Sequence, residues 1–141
     1  MRRSPLRKQS KNTISKLKKK LDVVFSLFIR NRDNWTCFTC GKKSKEGMQN
    51  GHFISRSHNS TRYDEKNNNC QCIGCNVFKN GNSAEYAYRL IQKYGQEEFE
   101  ALIKRGRQTK QFTVKELEQL INEYETKNRN LSANVPLGPR I

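Results

Sequence analysis

Two C-x-x-C pairs, Cys37/Cys40 and Cys72/Cys75, bracket a Gly51-His52 step, and Asn76 follows the last cysteine directly. A two-residue spacer lets both sulfurs of a pair turn toward a single ion, and zinc takes four thiolates in a closed tetrahedral site. One such pair is a weak signal, because redox motifs and chance produce it. Two in one short chain predict a structural zinc site. The alternative is disulfides or buried free thiols, and the odd total of five cysteines argues against a disulfide framework. Cys70 is the spare. It stands in a C-x-C relation to Cys72 that offers an alternative ligand, and it reads more simply as a bystander thiol. Gly41 after Cys40 and Gly74 inside the second pair fit the tight turns of such knuckles.

The residues between and beside the pairs suit hydrolysis of a phosphodiester. That reaction needs an activated water and stabilised charge on the phosphate and the leaving oxygen. His52, neutral near pH 7, can serve as general base. Asn76 sits where its amide oxygen can face a hard ion such as magnesium or manganese, which keeps several waters and needs few protein ligands. Asn67 can orient the His52 imidazole or pin the intervening loop. Each has a structural alternative. His52 can replace a cysteine on zinc or be a structural hydrogen-bonding histidine. Asn76 can cap a helix beside the knuckle. Asn67 stands next to Asn68 and Asn69, either of which can take its place. Arg56, Arg62 and Lys79 are candidates for phosphate contact. His58 reads as a loop residue.

Those groups must be positioned by a modest core, since only 33% of the 141 residues are hydrophobic. The length points to one domain, and a thin core of this size gains from a metal staple. A basic flexible arm is expected over 1–12. A helix should begin at a Thr13 cap, with Ile14, Leu17, Leu21, Val24, Phe25 and Phe28 at helical spacing. Lys16, Lys19 and Lys20 then fall mostly on its outer face and are candidate DNA contacts. The helix should end among the Asn and Asp residues of 31–34. Trp35 packs beside the first knuckle or stacks on a base. A strand is expected at Gly51–Ile54, loops at 55–61 and 63–69, and one or two helical turns at 75–79, stopped by Asn80-Gly81. Three more helices follow. The first is capped by Ser83, the second closes at Gly106, and the third opens with the Thr113/Glu116 capping box. Residues 128–141 read as a loose tail.

The formal net charge is +15. Such a surface binds polyanions through counterion release, so nucleic acid is the expected partner; an anionic membrane surface or plain solubility are the bland alternatives. The acids concentrate in the C-terminal helices, which puts the nucleic-acid face in the N-terminal half. No apolar run reaches a membrane span and no signal-peptide pattern opens the chain, so a cytoplasmic location is expected.

Taken together, Cys37-Phe-Thr-Cys40-Gly41, Gly51-His52-Phe53, Arg62-Tyr63-Asp64, Asn67 and Gln71-Cys72-Ile-Gly-Cys75-Asn76 resemble the HNH endonucleases of the His-metal-finger (ββα-metal) class. More narrowly, the chain is similar to the NinG/Rap recombination proteins of lambda-like phages. The resemblance, carried also by Lys79-Asn80-Gly81-Asn82, runs from about Trp35 to Tyr94 and weakly to Tyr124. It implies an α+β fold, with a ββα-metal core over 35–81 that holds the four-cysteine zinc site, flanked by an N-terminal helix and C-terminal helices in one nuclease domain over 13–127. It implies that His52 is the general base, Asn67 the middle residue of the motif and Asn76 the ligand of a catalytic magnesium or manganese ion. It also implies DNA as substrate, in branched recombination intermediates such as Holliday junctions or D-loops, in the host cytoplasm. A two-fold junction would favour a homodimer. The chain departs from the pattern at Gly51, where many HNH enzymes carry an aspartate ligand; Asp64, Glu65 and Asn82 are the nearby oxygen donors. A non-catalytic zinc-ribbon DNA-binding protein and a generic HNH nicking nuclease are the competing readings.

Overall fold

A computed structural model of the chain describes residues 5–133, with side chains from residue 11 onward. Residues 1–4 of the expected arm and 134–141 of the expected tail lie outside the described residues. The order of elements is helix α1 (Pro5–Arg32), strand β1 (Met48–His52), the short helix α2 (Asn59–Arg62), strand β2 (Asn68–Cys72), a one-turn π-helix (Gly74–Phe78), and helices α3 (Ser83–Tyr94), α4 (Gln96–Gly106) and α5 (Val114–Ala133).

Helix α1 starts at Pro5 and not at Thr13. Proline at the first helical position has no N–H to lose and a φ already set for the helix. No glycine or second proline interrupts the residues that follow, so nothing halts the helix ahead of Thr13. The helix ends where the Asn and Asp cluster predicts, with Asn34 and Trp35 both at φ +54°. Trp35 packs on the buried cysteines and donates its indole N–H to Asn31 Oδ1 at 3.2 Å.

One face of α1 buries Leu21, Phe25, Phe28 and Ile29 against Leu117, Ile121 and Tyr124 of α5. The Phe25 and Tyr124 rings meet edge-on with centroids 4.8 Å apart. Thr113 Oγ1 accepts the Glu116 N–H at 3.1 Å, as the capping box predicts, while the Glu116 carboxylate turns to Lys110 at 2.9 Å. Helix α5 does not end before residue 128. Asn128 donates to the Val24 carbonyl at 3.1 Å and Leu131 packs on the same core, so tertiary contacts carry it to Ala133. A second cluster joins Tyr86, Leu90 and Leu102 to Phe53, Ile54 and Phe99. Helix α3 begins after Asn82, which sits in the left-handed region at φ +51°, so Asn82 and not Ser83 holds the cap position.

The sheet is a single antiparallel pair, with Met48 opposite Cys72, Asn50 opposite Cys70 and His52 opposite Asn68. Two expectations change here. The strand expected at 51–54 lies at Met48–His52, and the asparagine run expected as a loop is strand β2. Asn67, Asn68 and Asn69 are all fully buried, which is costly unless every amide is paired. They are paired. Asn67 accepts the Ile54 N–H at 2.7 Å and donates to the Ile54 and Thr61 carbonyls at 3.0 and 3.1 Å. Asn68 donates to the Arg62 and Asp64 carbonyls at 3.1 and 2.7 Å and accepts from Asn50 at 2.9 Å. Asn69 donates to the Tyr86 hydroxyl at 3.1 Å. These bonds tie the long hairpin connection to the strand. Asn67→Ala strands the Ile54 N–H, and it is expected to lower stability by about 2–4 kcal/mol. An unchanged urea midpoint in that variant would remove the clamp from the account.

The chain is thus α+β, with a small two-stranded sheet and a cysteine cluster at one end of it. Among the described residues no helix is long and apolar enough to cross a membrane.

Candidate functional site

The four cysteines converge. Their sulfurs all lie within 4.8 Å of one another, with Cys40 and Cys72 3.7 Å apart. A tetrahedral zinc thiolate site places sulfurs about 3.8 Å apart, from Zn–S bonds of about 2.3 Å. Local backbone geometry builds both halves. Cys37 N–H bonds the Lys42 carbonyl at 2.7 Å, Gly41 N–H bonds the Cys37 carbonyl at 2.9 Å, and Gly41 takes φ +80°. In the other half the Cys75 N–H points at Cys72 Sγ at 3.4 Å, the donation that steadies a knuckle thiolate. Electrostatics also calls for a cation. Burial opposes ionisation of Cys37, but the Thr39 hydroxyl and nearby backbone N–H groups outweigh it and bring the thiol down to about 6. At Cys40 the Lys42 N–H favours the thiolate, yet burial and the three neighbouring sulfurs push it up to about 12. Four thiols this close cannot all ionise unaided, and a divalent cation removes the repulsion. The donor set and geometry fit a metal ion, consistent with structural zinc. Cys70 stays outside the cluster. It is fully buried, and burial followed by the Asp33 charge pushes it up to about 12.

The cluster anchors the hairpin at Cys72, opposite Met48, and His52 ends the same strand β1. Two adjoining hollows, of about 300 and 410 Å³, share Asn50, His52, Arg56 and Asn76. Asp22 and Ser26 of α1 wall the first; Asn80 and Gly81 close the second. His52 and Asn76 therefore line one groove. His52 is half-buried. Burial is the main reason its imidazole falls to about 4; Arg56 and Arg62 lower it further, while the Arg62 carbonyl and Asp22 oppose the fall. The ring is neutral at ordinary pH. A neutral imidazole keeps one ring nitrogen as a hydrogen-bond acceptor. Asn76 donates its amide to Gln49 Oε1 at 2.7 Å, and its Oδ1 has no partner among the described residues.

Other expected residues sit elsewhere. Asn67 does not line the groove; it clamps the Ile54 backbone just past His52, the loop-pinning alternative. Arg62 is not a surface contact. It is buried, it grips Asp22 through Nε at 3.0 Å and Nη2 at 2.5 Å, and it donates to the Arg56 carbonyl. Arg56 is exposed on the groove rim, with only a 3.4 Å contact to Asp22. Lys16, Lys19 and Lys79 are exposed. By helical spacing Lys19 shares a flank of α1 with Asp22 and Ser26, and Lys16 extends that flank. Lys20 is exposed on another side and lies 3.8 Å from Glu125. Of the oxygen donors considered beside Gly51, Asp64 is held by Arg105 at 2.7 Å and Glu65 by Lys127 at 3.2 Å. Asn82 leans toward Cys75.

Gly51 has a steric reason. A Cβ there would lie 2.0 Å from Gln71 Oε1, and the Gln71 amide is itself held by Thr39 and the Gly81 carbonyl. An aspartate at 51 would strike this buried side chain. Gly51→Ala is expected to destabilise the fold by about 1–3 kcal/mol, read as a fall in melting temperature. Full wild-type stability would show that Gln71 yields freely.

Two groove residues escaped the sequence reading. Asp22 is the one acid among the first 32 residues, an isolated charge that signalled a specific cation partner. Asn50 stands two positions before His52, hence on the same strand face. Its amide is oriented by Asn68, and its Oδ1 is buried without a partner. A further hollow, about 610 Å³, lies apart between the first knuckle and α3. Its cations are engaged: Arg32 with Asp33, Arg89 with Glu85, and Lys93 over the Phe38 and Tyr94 rings.

The sequence profile described as Bacteriophage Lambda NinG protein matches residues 2–134. Protein ninG of Escherichia phage lambda is 30% identical over 115 residues, covering 80% of this chain and 56% of that protein. Protein ninG of Salmonella phage P22 is 31% identical over 118 residues, with shares of 80% and 56%. Protein ninG of Escherichia phage 933W is 30% identical over 115 residues, with shares of 80% and 57%. The chain spans a little over half the length of these curated relatives. No solved structure matches it. Spanned almost end to end by that profile, and similar to ninG proteins from separate phages, this chain belongs to the NinG family of bacteriophage proteins.

Proposed function

We propose that this chain is a metal-dependent DNA endonuclease of the HNH, His-metal-finger type, acting on branched recombination intermediates. One observation carries the reading: a neutral histidine and a half-free asparagine amide line the same groove, next to a four-cysteine site and an exposed arginine. The order of parts supports it. A β-hairpin bearing His52 is followed by the helical turn bearing Asn76, the sequence of a ββα-metal core.

The groove residues fit a hard divalent ion. Asn76 Oδ1 would be its protein ligand, and the groove has room for the waters that magnesium retains. Bound there, magnesium or manganese would neutralise charge on the phosphate and the leaving oxygen. The chain's own residues do the rest. The unprotonated ring nitrogen of His52 takes a proton from the attacking water. Arg56 meets the phosphate from the rim. Asn67 and Arg62 are positioning residues, which hold the loop that follows His52. Lys16 and Lys19 track the DNA backbone away from the cut.

The test is direct. Labelled four-way junctions and linear duplexes are incubated with the zinc-loaded protein and magnesium or manganese. Cleavage of the junction in preference to the duplex is the expected result. Binding without cleavage of any substrate would leave only a zinc-bearing DNA-binding protein, and equal cleavage of duplex would remove the branched-substrate claim.

A further inference from the structure

Three large apolar side chains stand out on or beside the turn that carries Asn76. Phe78 is 81% exposed, Val77 51% and Ile73 39%. A lone exposed aliphatic residue needs no explanation, but adjacent ones with an aromatic at their edge mark an interaction site. The turn is not loose. Lys79 N–H bonds the Gly74 carbonyl at 3.0 Å and Gly81 N–H bonds the Cys75 carbonyl at 2.9 Å, while Cys75 belongs to the sulfur cluster. The side chains are therefore held out by a stapled backbone. Cations flank the patch on two sides. Lys79 follows Phe78 directly. Ile73 N–H bonds the Gly47 carbonyl at 3.0 Å, at the end of a loop with Lys42, Lys43 and Lys45 exposed.

An apolar and aromatic patch rimmed by lysines fits a nucleic-acid base joined to its phosphates. The face of a paired base is covered by its stacked neighbours; an unpaired or splayed base offers its face. Phe78 is two residues from Asn76 on one helical turn, so the two side chains leave it in different directions, and neither Val77 nor Phe78 lines the His52 groove. We infer that Phe78, with Val77 beside it in sequence, is a stacking platform for an unpaired base of bound branched DNA. This rests on the proposed action on branched DNA and deepens it. The platform makes an unstacked base a condition of tight binding, so selectivity for branched DNA would come from this turn.

Binding is measured by fluorescence anisotropy with no added magnesium or manganese, so that no cleavage occurs. The probes are a four-way junction, a single-stranded oligonucleotide and a linear duplex, the first two also with 2-aminopurine in place of an unpaired or branch-point adenine. Phe78→Ala is expected to weaken binding of the junction and the single strand about 5- to 150-fold, the range of one lost stacking contact, with duplex affinity within about twofold. It should also abolish the 2-aminopurine quench. Phe78→Tyr should restore both. Unchanged affinity for all probes would overturn the platform, as would an equal loss on duplex. A change in self-association by sedimentation with DNA binding intact would overturn it in favour of an interface between copies. If wild type cleaves no substrate yet Phe78→Ala shows the selective loss, the nuclease reading fails and the platform stands. If wild type cleaves and Phe78→Ala binds as wild type, the platform alone fails.

Discussion

His52→Ala is expected to slow cleavage of branched DNA by about 10²- to 10⁴-fold, the usual contribution of a positioned general base, while DNA affinity changes little. The loss should come from the chemical step. In the groove, the lone pair of one ring nitrogen is the proton acceptor, and alanine leaves only water to fill its place. The pH profile carries the same claim. The active form is the neutral ring, and burial with the Arg56 and Arg62 charges brings its titration down to about 4 from the ordinary 6.5. The rate should therefore climb as pH rises through that region, and the titration of His52 should be complete well before neutrality. The same shift bears on stability. The folded pKa lies below the unfolded one, so the contribution is present above the ordinary imidazole pKa and is lost as pH falls through the folded value. Cleavage assays across pH on wild type and His52→Ala, with circular dichroism to show both folded, provide the check. Wild-type turnover in His52→Ala would end the general-base assignment.

Converting Cys37 and Cys72 together to serine is expected to remove the bound metal and unfold the hairpin. Structural zinc supplies an apparent 10–16 kcal/mol in small zinc-finger peptides, roughly the entire stability of an ordinary domain at about 5–15 kcal/mol. Here the loss should be regional. The α1–α5 core shares no buried residue with the cysteine cluster, so helical circular dichroism should survive in part. The groove should not survive, because β1 and the turn of Asn76 both hang from the cluster. Elemental analysis should find about one zinc per wild-type chain, little in the double variant, and wild-type content in Cys70→Ser. A metal-free wild-type protein with an unchanged melting temperature would show that the sulfurs meet for packing alone.

Where the sequence could be read well, the cause was local. A C-x-x-C spacer constrains two sulfurs within a single turn, so the cysteine set was legible without a fold. The α1 and α5 faces followed from the 3.6-residue period, and the Thr113 cap from hydrogen bonds three residues apart. Where the reading failed, the partner was distant in the chain. Three successive asparagines have loop chemistry until Thr61, Arg62, Asp64, Asn50 and Tyr86 satisfy their amides. Arg62 looks like a phosphate contact until Asp22, on a different element, takes its guanidinium. The α1 start was the exception. Pro5 is a local signal, and the run of positive charge obscured it.

By itself the sequence determined the four-cysteine cluster, the helical faces and the basic character of the surface, because each depends on residue type and on neighbours within a turn or two. Only the tertiary structure decided that His52 and Asn76 open onto one groove, that Asn67 is a clamp, and that Gln71 forbids a side chain at 51. These depend on the register of β1 against β2 and on the packing of α1 beside them. Such long-range pairings are selected by the burial of the whole chain and leave no periodic trace in any one segment of it.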